Sequence, residues 1–151
     1  MPDASIGVRA LHASETKPLR HLVLWPHIEN ESDCVMSIDD DHETLHLGCI
    51  MDDIVASVGT IYPESSAKIQ ATRPYRLRAM ATHPDYRRQH LGEMLLQHAF
   101  KTLLARGCDV LWCDARLVAV PFYTSLGFRV LPEIYDVPLI GPHQFMWKEI
   151  K

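Results

Sequence analysis

The sequence predicts an α/β (α+β) fold, with a mixed, mostly antiparallel central sheet flanked by helices. Three features of the 151 residues carry that prediction. The first half holds strand-like runs joined by short turns, which read as an antiparallel meander. Leu91, Leu95, Ala99 and Leu103 then recur at helical spacing. Behind that helix come a strand, a short helix and two further strands, an order that closes into a mixed sheet with helices on its faces.

Taken in order, Ile6 to Leu11 alternates as a strand does. Ser14 caps an amphipathic segment carrying Leu19, Leu22 and Val23, which Pro26 stops. From His27 to Glu43 the chain is polar and acidic without a sustained period, apart from an apolar patch at Cys34 to Ile38. It reads as a loop or short helix, the kind of segment where function often sits. Thr44 to Met51 and Ile54 to Tyr62 are strand-like, and Asp52-Asp53 between them reads as a tight hairpin without the favoured Asp-Gly. Tyr75 to Thr82 is a third strand, ended by Pro84. On the long helix Leu91, Met94, Leu95, His98, Ala99, Thr102 and Leu103 share one face, and Gly107 ends it. Val110 to Cys113 is a short buried strand and Val118 to Leu126 a short helix punctuated by Gly127. Phe128 to Leu131 and Gln144 to Lys148 complete the sheet.

Composition bounds the function. At 47% hydrophobic and 23% charged residues, the chain can bury one sizeable core, and residues 1–151 read as a single domain. A net charge of -4 with no concentrated Lys/Arg surface argues against nucleic acid as a partner. Cys34, Cys49, Cys108 and Cys113 have neither paired metal-ligand spacing nor the density of a disulfide-stapled domain, so reduced, buried thiols are expected. The opening MPDASIGVRALHASE lacks the basic flank and apolar core of a signal peptide. No run approaches the roughly 20 apolar residues of a membrane span, so a cytoplasmic protein without membrane contact is expected.

The chemistry concentrates between Thr82 and Phe128. A turn rich in backbone donors opens the long helix at Arg87-Arg88-Gln89-His90-Leu91-Gly92, where unpaired amides and the positive helix end suit a pyrophosphate. Read alone, these six residues would merely begin a surface helix. They follow a strand ending in Thr82-His83-Pro84-Asp85-Tyr86, however, and precede Phe122-Tyr123-x-x-x-Gly127-Phe128 at the right interval. In this set the chain resembles the GCN5-related N-acetyltransferase (GNAT) family, whose pyrophosphate motif is Arg/Gln-x-x-Gly-x-Gly/Ala.

The resemblance implies an acyl-CoA-dependent N-acyltransferase with acetyl-CoA as cosubstrate. It implies that Arg87, Arg88, Gln89, His90, Leu91, Gly92 and Glu93 hold the pyrophosphate. It implies also that the strand at Met80, Ala81 and Thr82 splays from its neighbour to offer backbone groups to the acetyl carbonyl and pantetheine. His90 stands where the family has its first motif glycine. Either the backbone there is right-handed or the side chain is accommodated at some cost. Tyr123 matches the tyrosine that lies near the thioester sulfur, and a phenol suits protonation of a departing thiolate because it keeps its proton at neutral pH. The bland alternative is an aromatic core residue beside Ala119, Phe122 and Leu126. Arg116 replaces the asparagine of Asn-x-x-Ala-x-x-Phe-Tyr, with Ala119 retained. It reads either as a guanidinium reaching a CoA phosphate or as a solvated loop residue.

The tail from Tyr135 to Met146 resembles the ElaA-like small bacterial branch through Gly141-Pro142-His143. His143 is a candidate base for the incoming amine, since an ordinary imidazole is largely neutral at pH 7. A histidine satisfying local backbone groups is the equal alternative. His42 and His46 beside Asp39, Asp40 and Asp41 invite a metal, but four-residue spacing converges only on a helix, and an extended run is expected here. No metal is expected. The partners are therefore acetyl-CoA and an amine-bearing acceptor, a homodimer being left open. Small amine, amino acid, peptide N-terminus and lysine are all acceptors in play. Glu29, Glu31, Asp33, Glu133 and Asp136 would suit a cationic amine. The alternatives are a non-catalytic CoA-binding or sensing domain on the same fold, and an interaction module with Trp25 or Trp112 exposed as anchors.

Overall fold

The computed structural model describes residues 5–151; residues 1–4, where the reading of the N-terminus begins, lie outside it. The strand-like runs form Ile6–Ala10 (β1), Leu45–Met51 (β2), Ile54–Pro63 (β3) and Pro74–Thr82 (β4), each antiparallel to the one before, with β2 and β3 buried over most of their length. Asp52 and Asp53 both adopt positive φ, 48° and 67°. That is the backbone a type I′ hairpin demands, so two aspartates do the work usually given to Asn-Gly.

The first helix forms between β1 and β2, in three short pieces. A 3-10 turn at Ala13–Thr16 leads into one α turn at Lys17–Leu19 (α1) and a π turn at Arg20–Leu24. It begins earlier than expected, because His12 rather than Ser14 is the N-cap and the Glu15 carboxylate reaches back to the His12 N–H at 3.0 Å. Arg20 is wholly buried. It donates to both carboxylate oxygens of Asp39 at 2.8 and 2.9 Å, to the Cys34 carbonyl and to Thr60 Oγ1. The acidic segment read as a loop thus contributes Asp39 and Cys34 to the interior, with a 3-10 turn at Glu31–Asp33.

Leu91–Ala105 (α2) is the crossover to Val110–Arg116 (β5), which runs parallel to β4. Its buried face is Leu91, Leu95, Leu96, Ala99 and Leu103, whereas Met94 and His98 are exposed. Each buried leucine contributes roughly 1.5–3 kcal/mol. Propensity differences of at most about 0.7 kcal/mol per residue are smaller, so burial decides which face turns inward. The core beneath it includes Leu47, Ile61, Leu77, Leu111 and Met146.

A 3-10 turn at Leu117–Ala119 and the helix Val120–Ser125 (α3) end at Gly127, whose φ of 93° suits glycine. Arg129–Val137 (β6) and Gly141–Glu149 (β7) form the last hairpin, with β7 inserted between β5 and β6. The sheet order is β1-β2-β3-β4-β5-β7-β6, and β4–β5 is its parallel pair. No helix among the described residues is long and apolar enough to cross a membrane.

Candidate active site

β4 and β5 pair only from Pro74↔Val110 to Arg76↔Trp112 and then part, opening a wedge in the middle of the sheet. Ala79 takes a positive φ of 54° where the β3–β4 register shifts, a bulge that bends β4 beside the opening. Gly59 lies opposite, and a Cβ there would come within 3.1 Å of Met80 Sδ. Beyond Arg76 the β5-facing edge of β4 has no strand partner, so its amides and carbonyls are free for a ligand.

Two cavities meet at this wedge. One, of about 450 Å³, lies between β4, the start of α2 and α3. The other, of about 320 Å³, runs between the parted strands towards the first helix and β7. Met80, Ala81, Thr82, Arg87 and Tyr123 line both. A larger depression of about 730 Å³, beside Pro18, Leu22 and Ile54, contains none of the candidate catalytic or cofactor-binding residues.

At the first cavity the turn into α2 is wound tightly, with Arg88 and His90 at φ 65° and 61°. His90 is therefore left-handed (ψ 24°), the second of the two alternatives for that position, at a cost of about 1 kcal/mol. Its side chain makes no capping bond and is 82% exposed, with Nδ1 3.4 Å from Glu93. The first-turn amides of α2 consequently keep no side-chain cap and, with the positive helix end, suit an anion. Arg87, Arg88, His90, Leu91, Gly92 and Glu93 line this cavity, whereas Gln89 is exposed beside it. Gly92 has a packing reason: a Cβ would lie 3.1 Å from Phe122 Cζ and 3.3 Å from Met80 Cε. It lets α2 sit close against α3.

Tyr123 is buried where the cavities join, its ring edge-on to Phe122 and Phe128 at 5.1 and 5.2 Å. Burial, followed by the neighbouring Cys113, raises its pKa well above the ordinary phenol value, so it carries its proton. Its ring thus packs in the core while the residue lines both cavities. His143 is buried on β7 and lines the second cavity. Its Nδ1 donates to the Gly141 carbonyl at 2.7 Å. That bond leaves Nε2 as the acceptor nitrogen. Arg116 is not a loop residue: it ends β5, half-buried, in register with His143, and lines the second cavity rather than the first.

Sequence reasoning missed a cluster at the closed end of the wedge. Arg76 donates to Asp114 and to Glu64, each at 2.8 Å, and Tyr135 donates its hydroxyl to Asp114. Arg78 and Trp25 line the same cavity. The signal was the i, i+2 spacing of Arg76 with Arg78 and of Asp114 with Arg116, which puts charges on one strand face. Glu29, Asp33, Glu133 and Asp136 are exposed and line none of the cavities above, and Glu31 lines only the outer depression.

The four cysteines are free and buried. Cys113 lines the second cavity, but burial pushes its thiol up, which disfavours a thiolate nucleophile. His46 is buried on β2, bonded to Thr60 Oγ1 at 2.8 Å and to the Asp39 carbonyl at 2.9 Å, while His42 is exposed. Among the described residues no group of three His, Cys, Asp or Glu side chains is placed to hold a metal ion. Trp112 is buried and stacked on Phe145 at 5.3 Å, and Trp25 is half-buried under Arg20, so neither stands out as an exposed anchor.

The acetyltransferase (GNAT) family model matches residues 9–128. Over 146 residues, 97% of each chain, the sequence is 34% identical to the uncharacterized N-acetyltransferase YitI of Bacillus subtilis (strain 168). The crystal structure of Escherichia coli ElaA superposes with a TM-score of 0.75 at 20% identity, covering 96% of this chain and all of that one. An aminoglycoside 6'-N-acetyltransferase complexed with coenzyme A superposes with a TM-score of 0.76 at 13% identity, covering 96% and 97%. At those identities the two structures speak for the fold.

Proposed function

The chain belongs to the acetyltransferase (GNAT) family, and on that premise we propose that it transfers an acetyl group from acetyl-CoA to a primary amine by direct attack. The observation that carries this reading is the wedge between β4 and β5, with Tyr123 at the junction of its two cavities. The open first-turn amides of α2, with Arg87 and Arg88, fit a pyrophosphate, and the unpaired edge of β4 fits an extended pantetheine arm. The coenzyme A complex of a structural neighbour supports the same donor.

Residues 1–151 then act as one catalytic domain. Free amides near Met80 to Thr82 polarise the thioester carbonyl, stabilising the charge that grows on its oxygen. The amine nitrogen bonds to the carbonyl carbon as the carbon–sulfur bond breaks. Tyr123 gives its proton to the departing sulfur. His143 Nε2, or an ordered water beside it, takes the proton lost by the amine. Holding both substrates in one cleft supplies the proximity, so no covalent enzyme intermediate is needed.

The test is an acceptor-panel assay that follows free thiol from acetyl-CoA together with the mass of the acylated product. Amine-dependent thiol release matched by N-acetyl product is the expected result. Saturable CoA binding with no turnover on any amine would instead make this a CoA-binding or sensing domain.

A further inference from the structure

The second cavity has a charge pattern that selects among amines. Four arginines line it, Arg76, Arg78, Arg87 and Arg116, against a single carboxylate, Asp114. Asp114 is already committed to Arg76 and Tyr135. One alternation further up each strand stand Arg78 on β4 and Arg116 on β5, both half-buried. Arg78 has only a 3.5 Å contact to the Tyr62 hydroxyl, and among the described residues no carboxylate lies within ion-pair distance of either guanidinium. The strand pair that matches cation with anion at its closed end therefore presents unmatched cations where it opens. Arg87 faces the first cavity as well and is accounted for by the pyrophosphate turn.

A guanidinium in a half-enclosed cleft binds a carboxylate through paired, charge-assisted bonds. The same positive field opposes an ammonium ion and favours the neutral amine, the form that attacks. The rest of the lining is largely apolar, with Val23, Leu24, Trp25, Val137 and Ile140. At about 320 Å³ the space is at the small end of ligand pockets. Resting on the acyl-transfer reading above, we propose that the acceptor is a small amine that also carries a carboxylate, an α-amino acid with an apolar side chain, and that Arg78 and Arg116 hold its carboxylate.

The experiment compares each natural L-amino acid with its own primary amide as acceptor, following thiol release from acetyl-CoA. The amide carries the less basic amine and so has the advantage unless the carboxylate is recognised. An apolar amino acid is expected to exceed its amide in kcat/KM by roughly 10- to 100-fold, the worth of a charge-assisted contact. Arg78→Gln and Arg116→Gln should collapse that ratio towards one, and Arg78→Lys should retain part of it. CoA affinity of Arg78→Gln should match that of the parent. Amides that turn over as well as the acids overturn the carboxylate proposal and leave acyl transfer standing, as does an Arg78→Gln variant whose loss tracks a loss of CoA affinity. No amine-dependent thiol release from a protein that still titrates CoA overturns both. Should the variants fold poorly, calorimetry on the CoA-saturated parent decides, because the acid must bind more tightly than its amide.

Discussion

In the proposed reaction Tyr123 has to keep its proton until sulfur needs it, and burial at the junction of two cavities favours the protonated phenol. Tyr123→Phe keeps the ring and its edge-on packing while removing the donor. We expect CoA affinity within about twofold of the parent and kcat lower by about 100- to 10,000-fold, the range for a lost general acid. Calorimetry and steady-state kinetics check the two halves, and an equally fast variant with chemistry rate-limiting would reduce Tyr123 to packing. His143→Ala should slow transfer at neutral pH, with the deficit shrinking as pH rises and the amine sheds its own proton. A pH–rate profile parallel to the parent's would assign the proton to water. Tyr123 and the α2 turn were legible in the sequence because each belongs to a motif of fixed spacing. Arg78 and Asp114 were not, since a charge in a strand reads as solvent-facing until it is known that the neighbouring strand has parted.

At the scale of elements, the strands outrun their apolar periodicity where the cleft intrudes. β5, β6 and β7 each extend further than their apolar runs, because polar residues at the cleft continue them: Asp114, Arg116 and His143 line the second cavity and Tyr135 bonds to Asp114. α2 was legible from its period, although Leu96 rather than His98 is buried. Its first turn invites two tests. His90→Gly removes a left-handed side chain and should be neutral to stabilising by up to about 1 kcal/mol in denaturant unfolding. Gly92→Val should instead displace Phe122 or Met80, destabilising the fold by about 1–3 kcal/mol and weakening CoA binding in the folded fraction. A Gly92→Val protein with parental stability and affinity would contradict the close packing of α2 on α3.

The three-piece first helix depends on the Arg20–Asp39 pair. Burial pushes the Asp39 carboxyl up, but bonds from Arg20 and the Met36 amide, with the nearby Arg20 and His46 charges, outweigh it and hold its pKa below the ordinary 3.8. A depressed folded-state value means stability present above the unfolded pKa and lost as pH falls through the folded one. Urea unfolding should accordingly show stability falling below about pH 4. Asp39→Asn, which leaves a buried guanidinium without its counter-charge, should cost about 3–5 kcal/mol at neutral pH. A loss below about 1 kcal/mol would mean that water reaches Arg20.

For the whole molecule, the meander, the crossover and the inserted last strand combine to one effect, a sheet held together at one end and opened in its middle at β4–β5. The order of elements was legible from periodicity. The opening was suggested by family resemblance alone, because strand splay depends on a bulge at Ala79 and on where pairing stops, neither of which leaves a compositional trace. The functional account needs donor and acceptor to occupy that opening together. Initial rates measured with acetyl-CoA and an amine varied in a matrix test it most directly. Direct transfer within a ternary complex predicts intersecting double-reciprocal lines and no acylated protein when acetyl-CoA is supplied alone. Parallel lines accompanied by an acyl-protein species in the mass spectrum would contradict it.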